Sequence, residues 1–390
     1  MEIKLKGELL YLDGLRAVAA LYVVFHHAVL QFYKLEYVEL TGIKRITVTS
    51  LFHGGRAVDL FIVLSGFCLM LPIIKNAYKL NGSVLRFFTR RAIRILPPYY
   101  FAMIVCLILI SLFIGQKTGT HWDSSIPVTS NDILTHVFLI HDIFDSHIGK
   151  INHAFWSISV ECRIYLFFPI LILIWRLLGT YYLFLFSTLL SVILYVVLSR
   201  LQILYPDINT SFPGVNPYIL LFTMGMIAAD YSFSDRIKSN WEQKIPWGVL
   251  SIVFILTYYF MLKAFSYFDI RPGTILNELI NIEFGLCCCC ILITSSKEGL
   301  IQQLLSRTPL VFLGRFAYSI YLIHGPLLQL LTIHLIYPMH LSKYNSFIAL
   351  VCFSVMLILP ASYLFYLAFE LPFIKLGKLL YNRKAKVGLL

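Results

Sequence analysis

An arginine and a histidine stand eleven residues apart in the first apolar stretch of this chain, Arg16 and His27. On an α-helix, eleven steps of about 100° return to within roughly 20° of the starting direction while the axis rises about 16 Å. The two side chains therefore share one face, three turns apart. His26 is turned roughly 80° away from Arg16, which makes His27 the better partner. A neutral imidazole held in apolar surroundings suits one task above others, taking a proton from a weak nucleophile such as an alcohol.

Other polar residues stand where hydrocarbon is expected. A charge at bilayer depth costs about 2.5 kcal/mol or more, so each is a functional candidate. The stretch NHAFWSISVECRIY places Ser157, Glu161 and Tyr165 four residues apart, stacked along one helical face. An ionised Glu161 there needs a partner, and a His or Arg on another span is the natural one. The stretch GRFAYSIYLIHGP sets Tyr321 and His324 one turn apart, followed by Pro326. Asp13, Asp59, Arg163, Arg315, Glu278 and Glu283 complete the set of ionisable groups in apolar segments. At the edge of one such segment, RFFTRRAIR presents Arg86, Arg90, Arg91 and Arg94. Forked guanidinium groups bind phosphate oxygens two at a time; anchoring on anionic lipid is the alternative use of the same cluster.

The elements that must hold these residues are apolar helices. Of 390 residues, 59% are hydrophobic and 13% charged, against about 25% charged in soluble domains. Stretches near 11–33, 57–74, 97–115, 154–175, 180–199, 215–230, 245–265, 274–294, 309–333 and 345–370 each approach the roughly 20 residues that cross a bilayer. The expectation is an all-α integral membrane protein of about ten transmembrane helices. Pro97-Pro98 suits the start of the third span. Segment 132–141 is too short to span and is expected at the outer interface or re-entering the bundle. The first apolar stretch lacks a small-residue cleavage site and reads as a permanent span.

The net charge of +12 would suggest nucleic acid in a soluble protein. Here the densest basic clusters, Lys75 to Arg94 and Lys375 to Lys386, fall on one side of the ten-span arrangement, while the longest loop on the other side, 116–153, is rich in Asp. That asymmetry predicts cytoplasmic termini and argues against nucleic-acid binding. The eight cysteines all lie in apolar segments, and Cys287 to Cys290 are consecutive. Consecutive helical side chains fan around the axis and cannot converge on one ion, so neither a metal site nor a disulfide framework is expected. The chain reads as one membrane domain over 1–390, without a fused extracytoplasmic domain.

The segments YLDGLRAVAALYVVFHH, GGRAVDLFIVLSGFCL, RRAIRILPPYY, FWSISVECRIYLFFP, GRFAYSIYLIHGPL and FELPF, in this order, resemble the acyltransferase-3 family of membrane O-acyltransferases. The family's arginine–histidine motif falls on Arg16 and His27, and its paired-arginine motif on Arg91 and Arg94. Its tryptophan-to-glutamate motif falls on Trp156 through Glu161, and its tyrosine–histidine segment on Tyr318 through His324. Leu371 stands where many members have Arg, which weakens any role for Glu370.

The resemblance implies transfer of an acyl group, most commonly acetyl, from cytosolic acyl-CoA to a hydroxyl of a cell-surface glycan or lipid-linked sugar, in a bacterial plasma membrane. Acyl-CoA is then a donor substrate, not a permanently bound cofactor. Arg91, Arg94 and Arg16 would hold it, His27 would be the general base, Glu161 would orient His27 or stabilise its protonated form, and His324 would assist or bind the acceptor. A glycan or small-molecule transporter is the rival reading, and it would not need acyl-CoA. Oligomeric state is open.

Overall fold

The computed structural model describes residues 9–34, 39–210, 218–234, 242, 244–267 and 275–387. Among these the secondary structure is helical, with one isolated antiparallel bridge between Phe144 and Ile208 and no strand. The helices that matter for the site are α1 (Leu10–Leu30), α2 (Gly42–Ser50), α3 (Gly55–Lys75), α4 (Val84–Leu109), α5 (Ser130–Val137), α6 (Trp156–Leu178) and α7 (Thr180–Leu204). They are followed by α8 (Tyr218–Phe233), α9 (Trp247–Tyr267), α10 (Ile275–Ser295), α11 (Leu300–Leu305), α12 (Thr308–Gly314) and α13 (Ala317–Leu331). The chain ends in a long helical run that begins with α14 (Lys343–Phe353). Eight helical segments of the described residues are long and apolar enough to cross a membrane, and two shorter apolar helices, Tyr218–Phe233 and Leu279–Ser295, lie where two further spans were expected. This is an all-α membrane architecture.

Helices in lipid gain little from burying leucine against leucine, so close approach of backbones at small residues holds the bundle together. Helices α3 and α8 meet through reciprocal glycines. A methyl group on Gly66 would stand 2.0 Å from the Phe222 carbonyl oxygen, and one on Gly225 would stand 2.0 Å from that of Val63. The same device seats α1 on the α11–α12 hairpin, where Gly14 faces the Leu305 carbonyl and Gly314 faces that of Asp13. The largest apolar cluster runs through these contacts and takes in Leu64, Phe67, Met70, Tyr99, Phe168 and Phe222.

One expectation is corrected. Helix α4 does not start at the proline pair. Ser83 caps it by accepting from the Arg86 amide, and the helix runs on through Pro97 and Pro98. A neighbouring helix supports this stretch, with the Tyr318 hydroxyl donating to the Ile95 carbonyl. Arg91 and Arg94 consequently stand inside a helix rather than before it. Segment 132–141 forms α5, started by a capping box between Thr129 and Asp132, then a short turn at His141–Ile143. Leu134 and Phe138 are exposed on it.

The glycine contacts make a direct prediction. Gly66→Ala should lower stability by roughly 1–3 kcal/mol through overpacking, read as a reduced melting temperature of the purified protein in detergent. Gly377→Ala, where a methyl meets nothing, should be neutral. Equal melting temperatures for the two variants would mean that α3 and α8 do not approach this closely.

Candidate active site

Two cavities open at opposite ends of the same helices. The first, of about 350 Å³, takes Asp13 and Arg16 from the first half of α1, Ser65 and Cys68 from the second half of α3, and Arg91 and Arg94 from α4. Glu161 and Tyr165 of α6 also line it, with Arg315, Tyr318 and Glu370. The second, of about 290 Å³, takes His26, His27 and Leu30 from the end of α1, Gly54 and Val58 from the start of α3, and His121, Ser124, His153 and Trp156 beyond them. Val58 and Tyr321 line both. Arg16 and His27 are thus on one helix with one cavity each, about 16 Å apart along the axis.

In the first cavity Arg16 is paired with Asp13 at 2.5 Å and donates to the Cys68 sulfur at 2.9 Å. The Arg91 Nε is buried without a partner, an unspent donor beside a polar cavity. Glu161 does not reach His27. Its carboxylate accepts from Tyr165, one turn along α6, and Ser65 of α3 lies 3.1 Å from that carboxylate and 2.7 Å from the Tyr165 oxygen, with one proton to give to either. The expectation that Glu161 orients His27 fails on depth, since the carboxylate faces the arginine cavity and its partners are hydroxyls.

The second cavity is organised by histidines. His324 Nδ1 lies 2.8 Å from the Tyr321 carbonyl oxygen and 3.2 Å from that of Ile320. Carbonyls only accept, so Nδ1 of His324 carries the proton and, in the neutral ring, its Nε2 is bare. That Nε2 lies 2.9 Å from His27 Nδ1, which must therefore donate. The neutral His27 is left with its lone pair on Nε2. His26 points elsewhere, with Nδ1 donating to the Leu51 carbonyl at 2.7 Å and its ring filling the space left by Gly54. Tyr321, between the cavities, donates to the Ala154 carbonyl at 2.7 Å and accepts from Ser157 at 2.6 Å.

Against this geometry the comparisons are informative. The sequence model of the Acyltransferase domain matches residues 9–367. The chain belongs to the acyltransferase-3 family. Among its relatives, O-acetyltransferase OatA of Staphylococcus aureus (strain NCTC 8325 / PS 47) is 24% identical over 336 residues, which cover 81% of this chain and 50% of the relative. A protein of Staphylococcus aureus (strain N315) provisionally named an O-acetyltransferase is 24% identical over 334 residues, 80% of this chain and 49% of the relative. The chain spans about half the length of these curated relatives. No solved structure gives a significant match.

The acyltransferase-3 motif residues divide between the cavities, with Arg16, Arg91, Arg94 and Glu161 in the first and His27 in the second, where His324 holds it. The structure adds two residues that the spacing analysis missed, His121 and His153. Their rings approach His27 to centroid distances of 5.7 and 4.5 Å, and each other to 4.5 Å. Both come from the irregular segment between α4 and α6, where no helical period relates them to His27. Burial, then the charge of His26, pushes the His121 imidazole down to about 4.

Three of the remaining intramembrane candidates, Arg163, Asp59 and Glu283, have structural partners. Arg163 and Asp142 form a close ion pair, and Asp142 also accepts from Ser159, tying the α5 segment to α6. Asp59 pairs with Arg56 at 2.7 Å, and Arg56 also reaches Asn281 at 2.6 Å. Glu283 accepts from Thr257. The side chain of Glu278 lies outside the described residues. The eight cysteines are free, and Cys287 to Cys290 are buried separately.

Beside the site, His136 and His141 stack at 3.8 Å. Both are buried, and burial pushes each imidazole down from 6.5 to about 3. A folded-state pKa below the unfolded value means that the pair is fully stabilising above about pH 6.5 and loses that stability as pH falls toward 3. Hydrogen exchange across 130–143, corrected for intrinsic rates, should therefore show more frequent opening at pH 5 than at pH 7.5. Equal protection at both would mean that the two rings charge without cost.

Proposed function

We propose that this chain is a membrane O-acyltransferase that moves an acyl group, acetyl in the first instance, from acyl-CoA to a hydroxyl of a cell-surface glycan or lipid-linked sugar. The observation that carries the reading is the His27–His324 hydrogen bond, which leaves a histidine lone pair in one cavity, one side-chain layer from a second cavity lined by arginines. The names of the staphylococcal relatives supply the reaction class, O-acetyl transfer, and the arginine cavity supports a phosphate-bearing donor.

In this mechanism the arginine cavity faces the cytosol, both termini are cytoplasmic, and the protein sits in a bacterial plasma membrane. Arg91 and Arg94 take phosphate oxygens of coenzyme A, and the pantetheine arm passes Arg16 toward His27. The acceptor hydroxyl enters the histidine cavity. His27 Nε2 removes its proton as the oxygen attacks the thioester carbonyl, forming the new ester C–O bond. The tetrahedral intermediate collapses with cleavage of the C–S bond, and the proton on His27 passes to the departing thiolate. Throughout, His27 Nδ1–H stays on His324 Nε2, which fixes the tautomer much as a carboxylate does in a Ser–His–Asp triad. Glu161 acts from the arginine cavity, where with Ser65 and Tyr165 it shapes the wall along the donor's path.

The test is acyl mass added to the surface glycan in cells at matched membrane levels of each variant. His27→Ala should lower transfer by about 10²- to 10⁴-fold, and His324→Ala should lower it less, since the base survives without its orienting partner. Transfer by His27→Ala at the wild-type rate would remove His27 from the centre of the reaction. With purified protein, Arg91→Ala combined with Arg94→Ala should raise KM for acetyl-CoA far more than it lowers kcat. An unchanged KM would reassign both arginines to topology and lipid anchoring.

A further inference from the structure

His27, His121 and His153 each offer a ring nitrogen, and these three atoms lie within 4.8 Å of one another. Closing the set onto a zinc ion with bonds of about 2.0–2.1 Å asks each nitrogen to move by under about 1 Å. Two of the three rings already have their other nitrogen engaged. Imidazole ligands of metal ions hold the other ring N–H on a second acceptor, which fixes the tautomer. His27 Nδ1 is committed to His324 Nε2 at 2.9 Å, so its available nitrogen is Nε2. His153 Nδ1 is 3.2 Å from the Ser125 hydroxyl, and its Nε2 is buried with no partner at all. A buried ring nitrogen without a partner is costly, and here it stands among two other histidines. Ser124 and Gly149 line the same cavity, leaving room for a fourth ligand.

We propose that His27, His121 and His153 form a binding site for a divalent transition cation of the zinc class, with the fourth coordination position open to the histidine cavity. Three neutral imidazoles favour zinc and its neighbours over magnesium or calcium, which prefer oxygen ligands. The ion would occupy the lone pair on His27 Nε2. Resting on the general-base role given to His27 above, the consequence is that the cation blocks acyl transfer reversibly from the side of the acceptor.

The experiment is calorimetric titration of Zn²⁺ into the purified full chain in detergent, stripped beforehand with a chelator and without any acyl donor. One zinc per chain is expected, with affinity falling at least tenfold in His121→Gln and in His153→Gln and unchanged in His334→Gln. Absence of stoichiometric binding, or binding equal in wild type and in His121→Gln and His153→Gln, overturns the site and leaves the transferase reading intact. Should those two variants fail to fold, Co²⁺ added to wild type decides. Intense visible absorption of a four-coordinate ion supports the site, and the weak spectrum of hexa-aqua cobalt overturns it. Acetyl transfer by wild type should fall with the same zinc midpoint and return on chelation. Zinc bound at stoichiometry with undiminished transfer overturns the block at His27, whereas a protein that binds zinc but never transfers overturns the function proposed above and not the site.

Discussion

Hydrocarbon offers no hydrogen bonds, so every polar side chain carried by an apolar helix must find its partner inside the bundle. That constraint organises the molecule more than any apolar contact does. Arg16 finds Asp13 and Cys68, Glu161 finds Tyr165 and Ser65, and His27 finds His324. Each pairing turns polar groups away from lipid and gathers them in the interior, where the two cavities open. The glycine contacts of α3 with α8 and of α1 with the α11–α12 hairpin bring other backbones of the same helices into direct contact.

Helical period made part of the site legible without coordinates. The eleven-residue spacing correctly set Arg16 and His27 at different depths of one helix, and the four-residue spacing set Ser157, Glu161 and Tyr165 along one wall. Period fixes a direction around one axis, but it carries no information on the register of one helix against another. Glu161 was therefore given a histidine partner that stands in the other cavity. The same limit hid the pairing of His324 with His27, which spans 297 positions of sequence. His121 and His153 were out of reach for a different reason, because loops repeat nothing.

The proline pair shows how tertiary support overrides a local rule. Pro97 and Pro98 favour a helix start, yet Ser83 supplies a cap fourteen residues before Pro97, and Tyr318 donates to a carbonyl beside the break. The consequence is functional as well as structural. Arg91 and Arg94 ride on a continuous rod with Tyr99, whose hydroxyl donates to the carbonyl of His136 from the middle of the same helix.

Val58 and Tyr321 form the partition common to both cavities, and Tyr321 has its hydroxyl fully engaged. Because these two side chains are shared, a donor arm reaching from the arginine cavity to His27 in the proposed reaction would have to pass beside them. In that reaction the bulk at these two positions, rather than the volume of either cavity, would set the width of what can be handed over.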